Sequence, residues 1–274
     1  MNLEIFQKNG KYLMLALDHR GSFKKYVNKK NSEAASDADV IGVKKMIIDA
    51  VYDEMSGVLI DPDWGLAAYK EKEKPFLLCA EKTGYVENGG ERLTEIQYSA
   101  DELKKLGSNG VKLLLYYNPE AENRFAQIET AKNVLADCHK NDLPLFLEFV
   151  TYGNESLGKT RAEWVLRTVQ EFLDADVSPD VFKLEYPGDE KSCAKITKML
   201  GPTPWILLTR GETYDVFKKQ LTDAIANGAV GFLAGRAIWQ EVGDYTDVAG
   251  RQEFLENVAR KRFQEICAIA QTGK

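Results

Sequence analysis

Eight short runs of apolar residues recur along the chain, and most of them are continuously apolar rather than alternating with polar residues. Strands that are buried on both faces have this pattern, whereas strands with one solvent-facing side alternate. The pattern therefore predicts eight buried β-strands, at residues 12–17, 57–60, 76–80, 111–117, 145–150, 181–185, 205–209 and 231–234.

Helical patterns lie between these runs. Apolar residues at helical spacing follow the first run, at positions 40, 43, 47, 50 and 51. Ser99 with Glu102, and Thr160 with Glu163, have the spacing of helix-starting capping boxes. Asn118-Pro119 predicts a further helix start, with the proline at the first helical position. Glycines predict helix ends at positions 107, 201 and 228.

Strand and helix alternate throughout, and eight such units fit a chain of 274 residues. This order predicts an α/β protein with a single (β/α)8 TIM barrel, in which residues 1–274 form one domain. The alternative is a doubly wound open sheet, which usually has fewer strands and a glycine-rich first turn. The first turn here, Asp18-His19-Arg20-Gly21, is not a dinucleotide-binding fingerprint.

Composition narrows the class of protein. The chain is 44% hydrophobic and 28% charged, which is typical of a globular protein, and its net charge of −6 predicts no nucleic-acid partner. Four widely separated cysteines predict free thiols in a reducing compartment, and two histidines argue against a histidine-rich metal site. Because the chain lacks a membrane-length apolar run and a signal-peptide core, we expect a cytoplasmic protein without a membrane partner.

Charged side chains lie at the ends of seven of the eight predicted strands, and Lys112 lies inside the fourth. A charge within an apolar strand is unfavourable unless it is paired, so we expect some of these groups to face one another. A structural ion pair would explain a single pair of facing charges. Charges on almost every strand are better explained by a site at the C-terminal mouth of the barrel. The loops 83–93 and 151–159 also follow strands, and they are candidate lids or plain surface loops.

Lys183 is the candidate nucleophile of this site. It lies near the end of the sixth predicted strand, where loss of hydration favours the free amine, and a free amine attacks carbonyl groups to form a Schiff base. The alternative is an ordinary strand-end lysine with its ammonium in solvent. Lys112, if it lies near, disfavours the protonated form of Lys183 by charge repulsion. Glu148 is flanked by apolar residues and suits a proton shuttle, and Asp18 is placed to orient the amine or exchange protons with it.

An anion site is predicted in the loops that follow the seventh and eighth strands. Arg236 follows Gly235 in the eighth loop, and Gly211 follows the seventh strand. Barrels commonly build a phosphate site after strands seven and eight, with backbone N–H groups as donors. For Gly235 alone, a tight turn is an equally good explanation.

Six segments of the chain resemble the class I tagatose 1,6-bisphosphate aldolase family, in order and over nearly the whole length. They are Asp18-His19-Arg20-Gly21, Ile60-Asp61-Pro62-Asp63-Trp64-Gly65, Glu81-Lys82-Thr83-Gly84-Tyr85, Val111-Lys112-Leu113-Leu114-Leu115-Tyr116-Tyr117, Asp180-Val181-Phe182-Lys183-Leu184-Glu185 and Ala234-Gly235-Arg236-Ala237-Ile238-Trp239. Single segments are weak signals, but together they are specific. Residues 204–239 also look like the related sulfofructosephosphate aldolases.

The resemblance implies a metal-independent and cofactor-free cleavage of a phosphorylated ketose, such as tagatose 1,6-bisphosphate, to dihydroxyacetone phosphate and an aldehyde. It implies that Lys183 forms the imine, that Glu148 moves protons and that Lys112 lies beside the imine. It also implies that Asp18 and Arg20 line the site, and that Gly235 with Arg236 holds the phosphate of the dihydroxyacetone phosphate half. His19, Asp61, Thr209, Arg210 and Gly211 complete the predicted substrate-binding set.

Two departures from the family pattern bear on the substrate. His19 stands where glutamine is usual, and Thr209-Arg210-Gly211-Glu212 stands where small residues are usual. Arg210 is expected to pair with Glu212, and the alternative is that it binds an acidic group of the substrate. A sulfofructosephosphate aldolase that releases sulfolactaldehyde is therefore a second candidate. A barrel that binds sugar phosphates as a regulator without turnover is a third, and homo-oligomers are possible.

Overall fold

Eight parallel strands close into a barrel in the computed structural model, which describes residues 1–273. Each strand pairs with the next, and β8 pairs with β1 so that Gly231 lies beside Tyr12. All eight predicted strands are confirmed, with small shifts at their ends. The barrel strands are β1 (Lys11–Leu17), β2 (Gly57–Ile60), β3 (Phe76–Cys79), β4 (Gly110–Tyr117), β5 (Leu145–Thr151), β6 (Val181–Leu184), β7 (Trp205–Leu208) and β8 (Gly231–Ala234).

Helices surround the barrel and bury one apolar side against it. The predicted capping boxes of Ser99 and Thr160 are present, and so are the helix ends before Gly107 and Gly201, both of which have positive φ angles. Within residues 1–273, no helix is long and apolar enough to span a membrane. The α-helices are Lys24–Val27, Asp37–Val51, Gly65–Ala68, Ala100–Lys105, Arg124–Lys140, Arg161–Asp174, Glu190–Leu200, Tyr214–Ala226, Arg236–Trp239, Val248–Phe254 and Arg260–Thr272, with a π-helix at Leu255–Ala259.

One predicted helix start is wrong. Asn118-Pro119 forms a turn, in which the Asn118 side chain accepts a hydrogen bond from the backbone N–H of Glu120 at 2.9 Å. The helix begins at Arg124, and the carboxylate of Glu91 accepts hydrogen bonds from the backbone N–H groups that precede it, including Asn123 at 3.1 Å. This acceptor comes from a segment about thirty residues earlier in the chain, so local sequence does not reveal it.

The two candidate lids meet each other. The first contains an antiparallel hairpin of strands Val86–Asn88 and Glu91–Leu93, and the second follows β5. The backbone N–H of Arg92 donates to the hydroxyl of Tyr152 at 2.9 Å, and the Arg92 guanidinium lies 4.7 Å from the centre of that ring. Their role as lids stays a prediction.

The barrel interior explains where the polar residues point. A layer of buried side chains fills it, including Phe6, Tyr12, Phe146 and Val181. Side chains alternate along a strand, so a residue two positions further along also faces inward. Glu148 is therefore above Phe146 and Lys183 is above Val181, and both face the C-terminal mouth.

Candidate active site

A cavity of about 410 Å³ opens at the C-terminal ends of the strands. Ten of the twelve residues predicted for the site line it, and the exceptions are Asp61 and Gly211. The ten are Asp18, His19, Arg20, Lys112, Glu148, Lys183, Thr209, Arg210, Gly235 and Arg236.

Lys183 and Glu148 form an ion pair in the floor of this cavity. They are register neighbours on β6 and β5, and the Lys183 Nζ lies 2.8 Å from Glu148 Oε2. Lys183 is only 3% exposed. The alternative of a strand-end lysine with its ammonium in solvent is therefore wrong, and the amine has a proton acceptor in direct contact.

Lys112 is surrounded by carboxylates. Its Nζ lies 2.7 Å from Asp18 Oδ2 and 3.3 Å from the same Glu148 Oε2, and it also pairs with Glu81. Burial alone would lower the pKa of Lys112, but Asp18, Glu81 and Glu148 together raise it well above its usual value. Lys112 is thus a fixed cation, and it contacts the same carboxylate oxygen as Lys183.

Asp18 is an ionised carboxylate at this site. Burial would raise its pKa, but the charges of Lys112 and Lys183 outweigh burial and hold the pKa of Asp18 well below its usual range. An ionised Asp18 can orient an amine and stabilise a positive charge beside it.

His19 is neutral near neutral pH. Burial lowers the pKa of His19 to about 4, the nearby cations of Arg236, Lys44 and Lys112 act in the same direction, and Asp18 opposes them. Its ring packs edge-on against Trp239, with the ring centres 5.3 Å apart. His19 therefore offers the cavity a neutral hydrogen-bonding group.

Two glycines leave room for the part of the cavity that is predicted to bind phosphate. A Cβ atom on Gly211, whose φ angle is +80°, would lie 2.9 Å from an Nη atom of Arg236. Gly235 is similarly close to the β1 backbone, since its Cβ would lie 3.2 Å from the carbonyl oxygen of Ala16. Gly211 therefore lies behind Arg236 rather than in the cavity wall, and its missing side chain leaves room for the guanidinium.

Arg210 does not pair with Glu212, so that prediction is wrong. Its guanidinium pairs with the buried Glu185 and donates to the carbonyl oxygen of Thr151 at 2.8 Å. Glu212 instead lies 3.6 Å from Arg161. Glu185 is the closer partner because it follows β6, next to the β7 end that carries Arg210, and its burial favours a charged partner.

Asp61 does not line the cavity, contrary to the prediction of a substrate-binding role. It is fully buried and forms an ion pair with Lys44, which is also fully buried. The Lys44 Nζ donates further to the carbonyl oxygens of Leu17 at 2.9 Å and His19 at 2.8 Å. Asp61 thus belongs to a buried ion pair beside the end of β1.

Glu81 is the site residue to which sequence reasoning gave no role. Its carboxylate pairs with Lys112 and accepts a hydrogen bond from the backbone N–H of Leu114 at 3.1 Å. Its position two residues after β3, on the inward side, was the available signal. Tyr116 also lines the cavity and had no role from sequence. Within residues 1–273, no group of three or more His, Cys, Asp or Glu side chains is arranged to hold a metal ion.

The model of the DeoC/LacD family of aldolases matches residues 12–241. This range includes all eight barrel strands except Lys11, the first residue of β1. The chain belongs to the DeoC/LacD aldolase family. The predicted family resemblance is thereby confirmed.

Relatives in this family are similar over most of their length. The chain is 29% identical to tagatose 1,6-diphosphate aldolase 1 of Streptococcus mutans, over 96% of this chain and 92% of that protein. It is 30% identical to the tagatose 1,6-diphosphate aldolase of Staphylococcus aureus strain MW2, over 82% of this chain and 79% of that protein. Among solved structures, an archaeal fructose 1,6-bisphosphate aldolase aligns with a TM-score of 0.70 at 24% identity, over 96% of this chain and 97% of the other, which confirms the barrel fold.

Proposed function

We propose that this chain is a class I aldolase that cleaves a phosphorylated ketose through an imine on Lys183. The observation that carries the proposal is the contact of 2.8 Å between Lys183 and Glu148. It places a proton acceptor for the cleavage step directly beside the buried amine that would form the imine. The tagatose 1,6-diphosphate aldolase relatives support a ketose bisphosphate such as tagatose 1,6-bisphosphate as the substrate.

The reaction begins when the free amine of Lys183 attacks the ketose carbonyl. Water leaves, and a protonated imine forms that withdraws electrons as the C3–C4 bond breaks. Glu148 takes the proton of the C4 hydroxyl, directly or through a water molecule. The aldehyde departs, the dihydroxyacetone phosphate enamine is protonated, and hydrolysis of the imine releases Lys183. The protonated imine accepts the electrons, so the proposed cleavage is metal-independent.

Lys112 and Asp18 support these steps electrostatically. Lys112 stays protonated and contacts Glu148 Oε2 at 3.3 Å, so it stabilises the ionised carboxylate when Lys183 has lost its charge. Asp18 is ionised and stabilises the positive charge of the imine. Arg236, with the backbone around Gly235, binds the phosphate that dihydroxyacetone phosphate retains, and Gly211 leaves room behind the guanidinium.

Borohydride trapping tests the imine directly. Reduction in the presence of dihydroxyacetone phosphate should attach the three-carbon unit to Lys183, as located by peptide mass spectrometry. Lys183→Arg keeps the positive charge but cannot form the imine, so it should show neither adduct nor cleavage. An adduct on Lys112 instead, or activity that a chelator abolishes, would contradict the proposal.

A further inference from the structure

We infer that Arg210 is a positioning residue that holds Lys183 beside Glu148, acting through Glu185. This inference rests on the proposed function and deepens it, because it names what maintains the geometry of the imine-forming pair. Its basis is a cluster of side chains at the ends of β5, β6 and β7, made up of Thr151, Glu185 and Arg210. We call these three residues the strand-end cluster.

The backbone pairing of β5 with β6 ends at the residues of the imine-forming pair. The last register pair between these strands is Glu148 with Lys183. β5 itself continues to Thr151, where it pairs with Tyr117 on β4. The contact of 2.8 Å between Lys183 and Glu148 therefore lies at the last point where the backbone joins β5 to β6.

Glu185 joins the two strands beyond that point. It follows directly after β6, and its Oε1 accepts hydrogen bonds from the backbone N–H of Thr151 at 2.8 Å and from the Thr151 hydroxyl at 2.5 Å. Glu185 is only 1% exposed. Hydrogen bonds to an ionised carboxylate are stronger than those between neutral groups. This side chain therefore takes over from the backbone in holding the end of β6 to the end of β5.

Arg210 extends the connection to the end of β7. Its guanidinium pairs with Glu185 and donates to the carbonyl oxygen of Thr151 at 2.8 Å, so it contacts both other members of the strand-end cluster. Burial raises the pKa of Glu185, and the charge of Arg210 is the largest influence that opposes this rise. Without Arg210, the buried carboxylate would favour protonation or movement towards solvent. Either change weakens the hold of Glu185 on Thr151.

The backbone of Arg210 adopts an unfavourable conformation. Its φ angle is +47°, in the left-handed region that residues other than glycine seldom adopt. Such conformations persist where the surrounding contacts determine them, and they are frequent at functional sites. Here one Nη atom of Arg210 faces Glu185 and the other faces the Thr151 carbonyl, so the guanidinium is directed at protein groups.

Loss of the strand-end cluster would change the distance and angle between Lys183 and Glu148. Attack by the amine and removal of the hydroxyl proton both depend on that geometry, and a misplacement of about 1 Å lowers a rate by about 10²-fold. The substrate phosphate would still bind at Arg236, which follows β8. Arg210 should therefore affect kcat much more than KM.

The variant Arg210→Met tests the inference through the split between kcat and KM. For tagatose 1,6-bisphosphate, kcat per folded molecule should fall by about 10²-fold, and KM should change by less than about threefold. Urea unfolding of the same preparation gives the folded fraction. At saturating dihydroxyacetone phosphate, the borohydride adduct on Lys183 should form more slowly than in the wild type. An unchanged kcat would overturn the inference, and so would a rise in KM alone, which would show that Arg210 binds the substrate.

A double-mutant cycle tests whether Arg210 acts through Glu185. Glu185→Gln keeps the size of the side chain and removes the charge that pairs with Arg210. The double variant should lose no more kcat than Arg210→Met alone, because both changes disrupt the same contact. Losses that multiply would overturn the inference. If Arg210→Met folds poorly, the double variant, which buries no unpaired carboxylate, is compared with Glu185→Gln, and their kcat values should agree within about threefold.

Arg167→Met is the matched control. Like Arg210, Arg167 joins a carboxylate to a backbone carbonyl, since it pairs with Glu171 at 2.8 Å and donates to the carbonyl oxygen of Pro119 at 2.9 Å. It lies on the helix Arg161–Asp174 and its side chain is 41% exposed. Because it does not line the cavity, its loss should leave kcat and KM near their wild-type values.

The same experiments separate this inference from the aldolase proposal. A borohydride adduct on Lys183 of the wild type, together with an unchanged kcat in Arg210→Met, would refute the positioning role and leave the aldolase proposal intact. Absence of that adduct from the wild type would refute the aldolase proposal itself.

Discussion

Glu148 Oε2 is the atom at which the two buried lysines meet, at 2.8 Å from Lys183 and 3.3 Å from Lys112. Glu148→Gln keeps the shape and removes the proton acceptor. We expect kcat to fall by about 10²- to 10⁴-fold, while borohydride still attaches substrate to Lys183. Glu253→Gln, on an exposed helix position, should change neither quantity. Full activity in Glu148→Gln would show that another group moves the proton.

His19 makes stability depend on pH. Its pKa is about 4 in the folded protein against 6.5 ordinarily, so between these values the unfolded chain binds more protons. Stability should therefore fall as the pH decreases from about 6.5 towards 4, by up to about 3 kcal/mol. His19→Gln should reduce this fall in urea unfolding experiments at a series of pH values. His139→Gln, at the exposed second histidine, should retain it.

At the level of single residues, the sequence predicted positions better than partners. Lys183, Glu148 and Lys112 line the cavity, as expected from their places on the strands of a parallel barrel whose C-terminal ends meet at one mouth. Arg210 and Asp61 were misjudged because their partners, Glu185 and Lys44, come from a neighbouring strand end and a helix. Partner choice depends on how elements are juxtaposed, which hydrophobic pattern does not specify.

The helix Asp37–Val51 contacts the ends of two barrel strands beside the active site through one buried side chain, that of Lys44. Lys44 bridges the end of β1 to Asp61, which follows β2. Lys44→Met leaves Asp61 buried and unpaired, and it should cost about 3–5 kcal/mol in denaturant unfolding. Adding Asp61→Asn should recover part of that loss. The neighbouring Lys45→Met is the matched control, because Lys45 is exposed and its loss should be nearly neutral.

At the level of elements, periodicity predicted the strands and capping residues predicted two of the three proposed helix starts, because both signals are local. The capping boxes at Ser99 and Thr160 satisfy N–H groups within three residues. The start of the helix at Arg124 was misplaced because the N–H groups just before it are satisfied by Glu91, on a distant hairpin.

The helix Arg260–Thr272 packs against β8, the strand whose pairing with β1 closes the barrel. Phe263 in Arg260–Thr272 is fully buried, and its ring centre lies 5.5 Å from that of Phe232 on β8. Phe263→Ala should cost about 3–5 kcal/mol in denaturant unfolding, because it leaves a cavity behind the closing strand. Phe125→Ala, at a side chain that is 62% exposed, should change stability little.

Across the whole molecule, the wall that carries the proposed chemistry alternates in charge from one strand to the next. Glu81 follows β3, and Lys112, Glu148 and Lys183 lie on β4, β5 and β6, whereas Arg210 and Arg236 follow β7 and β8. Laboratory evolution of substrate range can therefore change Thr209, which lines the cavity, without touching any of the four alternating charges, whereas Arg210 is held by Glu185 and Gly211 by Arg236. A change at one of those four, by contrast, would require a compensating change on the adjacent strand.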